Sequence, residues 1–176
     1  MESMKKLILI LIIAVGAFGI WALYNKESIT PEPVEPEPVV VEVPADIQAH
    51  IDSKSDLIRV ELPGPMTTIT SPLTVSGQAR GQWFFEATFP VTLTNWDGLI
   101  IAEGYAEAVL DPNDPDSTWM TTEFVEFEGT LEFENPSFAD VEDDHFSKRG
   151  YLIFRRSNPS DLPENDNALE IPVYFE

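Results

Sequence analysis

The chain contains no cysteine. That excludes disulfides, thiolate metal centres, thiol catalysis and attachment to a membrane through a lipidated cysteine. Histidine is almost as scarce. His50 stands beside a proline-rich stretch, His145 stands in the acidic run DVEDDHF, and these are the two in the chain. So placed, they do not form a zinc site. Basic residues are also few: 10 Lys and Arg against 31 Asp and Glu, for a formal net charge of -21. Such a chain is repelled by nucleic-acid phosphates and by anionic lipid head groups, so nucleic acid is excluded as a partner. No G-x-S-x-G elbow and no glycine-rich phosphate loop occurs. Carboxylates are numerous, and that very abundance removes any specific signal for a paired-carboxylate glycosidase. The expectation is a protein that is not an enzyme and carries no cofactor.

What is present begins with a greasy leader. Leu7 to Tyr24, LILILIIAVGAFGIWALY, carries no charge. As a helix it would span about 27 Å, close to the hydrocarbon thickness of a bilayer. Lys5 and Lys6 precede it, so residues 1–6 are expected in the cytoplasm. Trp21 and Tyr24 suit the far interface. The reading is a signal anchor over 7–24 with the remainder outside the cell membrane. The alternative is a cleaved signal peptide, but the apolar run continues past its small residues through Ile20, Trp21 and Leu23.

Residues 25–57 read as a stalk. Thr30 to Pro44, TPEPVEPEPVVVEVP, combines prolines that favour extended polyproline II with glutamates that repel one another. Its reach is about 45 Å at about 3.1 Å per residue. A docking site for a proline-reading module is the alternative. Residues 45–55 are expected to form a short helix capped by Asp46, with Ile47, Ile51 and Lys54 on one face.

From residue 58 to 176 the period changes to two. Ile58, Val60 and Leu62 alternate with polar residues, as do Leu73, Val75, Gly77 and Ala79. So do Phe85, Ala87, Phe89, Val91 and Leu93; then Val125, Phe127, Leu131 and Phe133; then Leu169, Ile171, Val173 and Phe175. Tyr151 to Arg155 reads as a strand apolar on both faces. Asp97-Gly98 between two such runs is the strongest short hairpin signal. Pro63-Gly64-Pro65 and Ser71-Pro72 mark boundaries. Pro90 and Pro172 must sit at edges, bulges or unpaired positions. About seven strands with turn signals between them predict an antiparallel β-sandwich, with a small closed barrel as the alternative. In RGQWFFEATF, parity sends Trp83, Phe85, Ala87 and Phe89 to the core and leaves Phe84 on the polar side. Trp96 shares that outward parity near the turn.

The run IRVELPGPMTTITSPLTVSGQARG, then WFFEATFPVTLTNWDGLIIAEGYA, resembles the immunoglobulin-like domain of bacterial spore germination, the Gmad type. SPLTVSG at Ser71 to Gly77 and FEATFPVTLTNWDG at Phe85 to Gly98 carry the resemblance, with Trp119, FVEFEGTLEF and ALEIPVYF following in order. The resemblance implies an extracytoplasmic immunoglobulin-like sandwich, a germination or sporulation context, and no catalytic residues.

Two sets of residues remain as candidate sites. DPNDPDST offers Asp111, Asn113, Asp114 and Asp116 as hard oxygen ligands of the kind calcium takes. Pro115 and Asp116 break the EF-hand pattern, and a solvated turn is the plainer reading. DVEDD and Asp161 to Asp166 are of the same kind. Phe84 and Trp96 are the candidates for stacking on a sugar or packing on a partner. The expected function is therefore a membrane-anchored, extracytoplasmic, immunoglobulin-like module. It would act in non-catalytic contact with an envelope protein or polysaccharide. A calcium-dependent or glycan-binding surface module is the alternative.

Overall fold

A computed structural model describes residues 43–138 and 146–176. All of these residues lie in one compact unit, Val40–Glu176. The leader Leu7 to Tyr24, nearly all of the proline-glutamate stretch, and Asp140 to His145 are outside the described residues. Among those described, no helix is long and apolar enough to cross a membrane.

The described chain is mostly β. A short helix, α1 (Ala45–Lys54), leads into β1 (Ile58–Leu62), β2 (Thr68–Ile69), β3 (Leu73–Arg80), β4 (Thr88–Asn95), β5 (Ile100–Ala108), β6 (Phe124–Leu131), β7 (Arg149–Arg155) and β8 (Ala168–Phe175). They form one sheet in the order β1-β3-β6-β5-β4-β7-β8-β2. Neighbours are antiparallel except β2 with β8, which run parallel. The strands number eight rather than seven. The extra one is the two-residue β2, too short to show a period of two.

The sheet curls over on itself at β5. This strand pairs with β4 along most of its length and with β6 at Ala106, Glu107 and Ala108. The curl brings Phe127 of β6 against Phe89 of β4 and Phe154 of β7, with ring centroids 5.0 and 5.9 Å apart. The alternating apolar residues of β3, β6 and β8 supply the rest of the core: Val75, Ala79, Leu131, Leu169, Ile171, Val173 and Phe175 are all buried. At roughly 1.5–3 kcal/mol for each fully buried large apolar side chain, this shared face is what holds the two layers together. In β7 only Leu152 and Phe154 point into the core. Tyr151 faces solvent and Ile153 is half-buried, so this strand alternates like the others.

Both strand prolines lie where a ladder bond is not required. Pairing of β4 with β7 begins at Val91, one residue past Pro90. Pairing of β8 with β2 begins at Tyr174, two residues past Pro172. Gly77 is needed for close approach, because a Cβ there would collide with the backbone oxygen of Arg59 on β1.

The parity of RGQWFFEATF is corrected by the backbone. Gly81–Trp83 form a turn of 3₁₀ helix. Glu86 (φ 51°) and Ala87 (φ 63°) are both left-handed. Phe85 and Thr88 exchange two main-chain hydrogen bonds of 2.9 and 3.1 Å across them, the geometry of a mirror-image two-residue turn. β4 therefore starts at Thr88 rather than Phe85. Phe84 is buried, only 4% exposed, with its ring 5.2 Å from that of Phe89. Phe85 is 45% exposed. Trp83 is fully buried, as its parity suggested, and its indole N–H has no hydrogen-bond partner.

α1 forms where expected, but its N-cap is Pro44 with no side-chain cap bond, and Asp46 lies within the first turn. No residue of α1 is buried. It rests on β8 through half-buried Ile51, through Lys54 Nζ donating to Asn167 Oδ1 (2.6 Å), and through His50. The Glu170 N–H donates to His50 Nε2 at 3.3 Å. His50 thus belongs to the domain rather than to a linker.

Candidate functional site

The expected calcium loop joins β5 to β6. Two of its carboxylates, those of Asp111 and Asp114, are turned onto the neighbouring backbone. Asp111 Oδ1 accepts from the Asn113 N–H (2.8 Å), and Asp114 Oδ1 accepts from the Asp116 N–H (2.9 Å). Ser117 Oγ accepts from the Asp111 N–H (3.0 Å). These are Asx-type turn contacts, which hold the loop as a chain of tight turns. Asp166 Oδ1, in the other acidic turn, accepts from Asn158 Nδ2 at 2.7 Å. Among the described residues, no group of three or more histidine, aspartate or glutamate side chains is gathered so as to hold a metal ion. Asp140 to Asp144 lie outside the described residues.

The two candidate contact rings separate. Phe84 is in the core and unavailable to a partner. Trp96 remains at the surface, 38% exposed, beyond the end of β4. Its position is set by the hairpin turn. Asn95 Oδ1 accepts from the N–H groups of Asp97 and Leu99 (3.0 and 2.9 Å), and Gly98 takes φ 77°. The Trp96 ring meets that of Phe146 at 4.6 Å between centroids, tilted by 49°.

Further rings lie beside this pair. On the outer face of β7 and β8, Tyr151 stands opposite Pro172 and Arg149 opposite Tyr174. Tyr151 and Tyr174 are therefore diagonal cross-strand neighbours, a spacing of roughly 7–8 Å between backbones. Tyr151 is 45% exposed. Together with Ile47, Met66, Trp96 and Phe146, the two tyrosines line a groove of about 400 Å³. Tyr151 and Ile47 also border a smaller hollow with Asp46, His50 and Glu170. The rims are polar and carry both signs of charge.

Sequence reasoning found Trp96 but missed Tyr151, Tyr174 and Phe146. Tyr151 sat in a strand read as apolar on both sides, and Tyr174 held an ordinary outward position. Only the pairing of β7 with β8 puts the two on one face.

A second feature lies on the outer face of β3 and β6. The guanidinium groups of Arg59 and Arg80 both stand over the Phe124 ring, at 4.1 and 4.2 Å. Arg80 also meets Glu123 at 3.7 Å, but the Glu123 side chain is 80% exposed, so solvent screens the pair. The Nε atoms of Arg59 and Arg80 donate to main-chain carbonyls of Ser55 and Asp56. These contacts tie the α1–β1 connection to the sheet.

The described strands make one curled, mostly antiparallel sheet with β1 and β2 at its two ends, an arrangement compatible with an immunoglobulin-like domain. The profile of the immunoglobulin-like domain of bacterial spore germination matches residues 57–150, and the chain belongs to that family. No curated protein matches the chain, and no solved structure matches it. Several residues within the matched segment shape the backbone. Ser71-Pro72 precede β3, Gly77 admits β1, Glu86 and Ala87 form the left-handed turn, and Asp97-Gly98 close the hairpin. The match ends at Gly150, so Tyr151, Pro172 and Tyr174 lie beyond it.

Proposed function

We propose that this chain is a non-catalytic recognition module. Residues 7–24 hold it at the cell membrane, the proline-glutamate stretch spaces it outward, and the β domain meets a protein or polysaccharide of the cell envelope. Support for the tether comes from the uncharged run and from Lys5 and Lys6 before it. Support for recognition comes from family membership and from one observation above all: the groove beside Tyr151 exposes aromatic rings that the core does not use. Exposed rings set among polar rims are a common signature of a contact surface. The family context points to the envelope of a sporulating or germinating cell.

Protease treatment of intact cells tests the placement. Digestion is expected to remove the domain and leave an amino-terminal fragment with the membrane. A domain that is cut only after the cells are lysed would overturn it. Because a tight β fold can resist protease, a cleavage sequence inserted after Pro36 makes the test independent of the domain's own resistance.

A further inference from the structure

We infer that the groove between α1, β7 and β8 binds a linear chain of uncharged sugar rings. This rests on the recognition reading above and names the ligand class for it. A pyranose ring has an apolar face of C–H groups and an edge of hydroxyls. Its binding site therefore needs flat apolar platforms with hydrogen-bonding groups at their rims. The groove supplies both. Its platforms are Tyr151, Tyr174 and the Trp96–Phe146 pair. They line one groove, and Tyr151 and Tyr174, as diagonal cross-strand neighbours roughly 7–8 Å apart at the backbone, offer positions for more than one ring.

The rims decide between ligand classes. Tyr151 and Tyr174 carry hydroxyls, Arg149 brings a cation to one end, and Asp46 and Glu170 bring carboxylates to the adjoining hollow. An apolar partner helix would leave these groups desolvated and unpaired, which is costly. A polyanion would face a chain of net charge -21. A basic peptide would meet Arg149, which lies within the groove itself. A neutral polyhydroxylated chain avoids all three penalties. Tyrosine and tryptophan platforms with two-sided polar rims then gain both stacking and hydrogen bonds.

The test uses full-length protein in detergent micelles with soluble chito-oligosaccharide and cello-oligosaccharide as probes, followed by calorimetry. Saturable binding is expected for at least one probe. Tyr151→Ala and Trp96→Ala are each expected to weaken it about tenfold, which corresponds to about 1.4 kcal/mol. Tyr105→Ala, on an exposed ring of β5, serves as the control and should leave it unchanged. Tyr151→Phe should retain the platform while losing the hydroxyl, and so should fall between wild type and Tyr151→Ala. Circular dichroism confirms that each variant is folded. Failure of both probes at millimolar concentration, or binding that survives Tyr151→Ala and Trp96→Ala together, overturns the inference. Cross-linking from Tyr151 on intact cells separates the two readings. Capture of an envelope protein that the groove variants lose would leave recognition standing and dismiss the sugar.

Discussion

At the scale of single residues, Phe84 and Phe85 show how one turn reassigns two identical side chains. Phe84 packs edge-on against Phe89 inside the core, while Phe85 opens to solvent. Phe84→Ala removes a buried ring and leaves a cavity, so it is expected to cost about 3–5 kcal/mol. Phe85→Ala is expected to cost under about 1 kcal/mol, as surface changes do. Denaturant melts of the two variants check this, and a larger loss from Phe85→Ala than from Phe84→Ala would show that parity, not the turn, places the rings. The sequence hid the arrangement for a definite reason. Left-handed positions usually advertise themselves as Gly, Asn or Asp. Here they are Glu86 and Ala87, which read as strand. The Asp97-Gly98 turn carried its usual chemistry and was legible.

At the scale of elements, α1 is a lightly held cover for the outer edge of β8. That edge turns its main-chain groups away from β7. His50 takes the Glu170 N–H, the Met66 N–H donates to the Pro172 carbonyl, and the Tyr174 N–H donates to Thr67. A bare edge is a template for unwanted strand pairing, and native sheets cover it or blunt it with proline. Both devices occur here, in α1 and in Pro172. Hydrogen exchange on the full chain measures the cover. His50→Ala is expected to speed exchange at the Glu170 amide about fivefold, the effect of losing roughly 1 kcal/mol of hydrogen bond. The amides of Leu152 and Phe154 should be unaffected. A Glu170 amide that exchanges at the wild-type rate would show that α1 does not guard the edge. The helix itself was legible from Ile47, Ile51 and Lys54, but its seat on β8 was not. Nothing in a ten-residue segment without a buried face says which strand it will meet.

At the scale of the whole molecule, the dominant quantity is charge. A net charge of -21 on 176 residues disfavours the compact state through self-repulsion. Raising ionic strength from about 0.01 M to about 0.15 M shortens the screening length from about 30 Å to about 8 Å. The melting temperature is expected to rise over that range, as a thermal scan at neutral pH would show. A fall would mean that attractive ion pairs outweigh the repulsion. That outcome is disfavoured by the exposed and long Arg80–Glu123 contact. The two-layer architecture was legible at this scale because alternating residues mark a buried face in β3, β4, β6 and β8, although the runs fail at Leu62 and Phe85, which are exposed. The short β2 was not, since two residues carry no period.

The amino-acid sequence alone determined the β class, the positions of most strands and hairpin turns, and the excess of negative charge. Each of these depends on residues near one another in the chain or on a simple sum. Tertiary structure decided which aromatic rings are buried and which are offered to a partner. A turn of unusual composition resets side-chain parity, and only the pairing of β7 with β8 sets Tyr151 and Tyr174 beside Trp96.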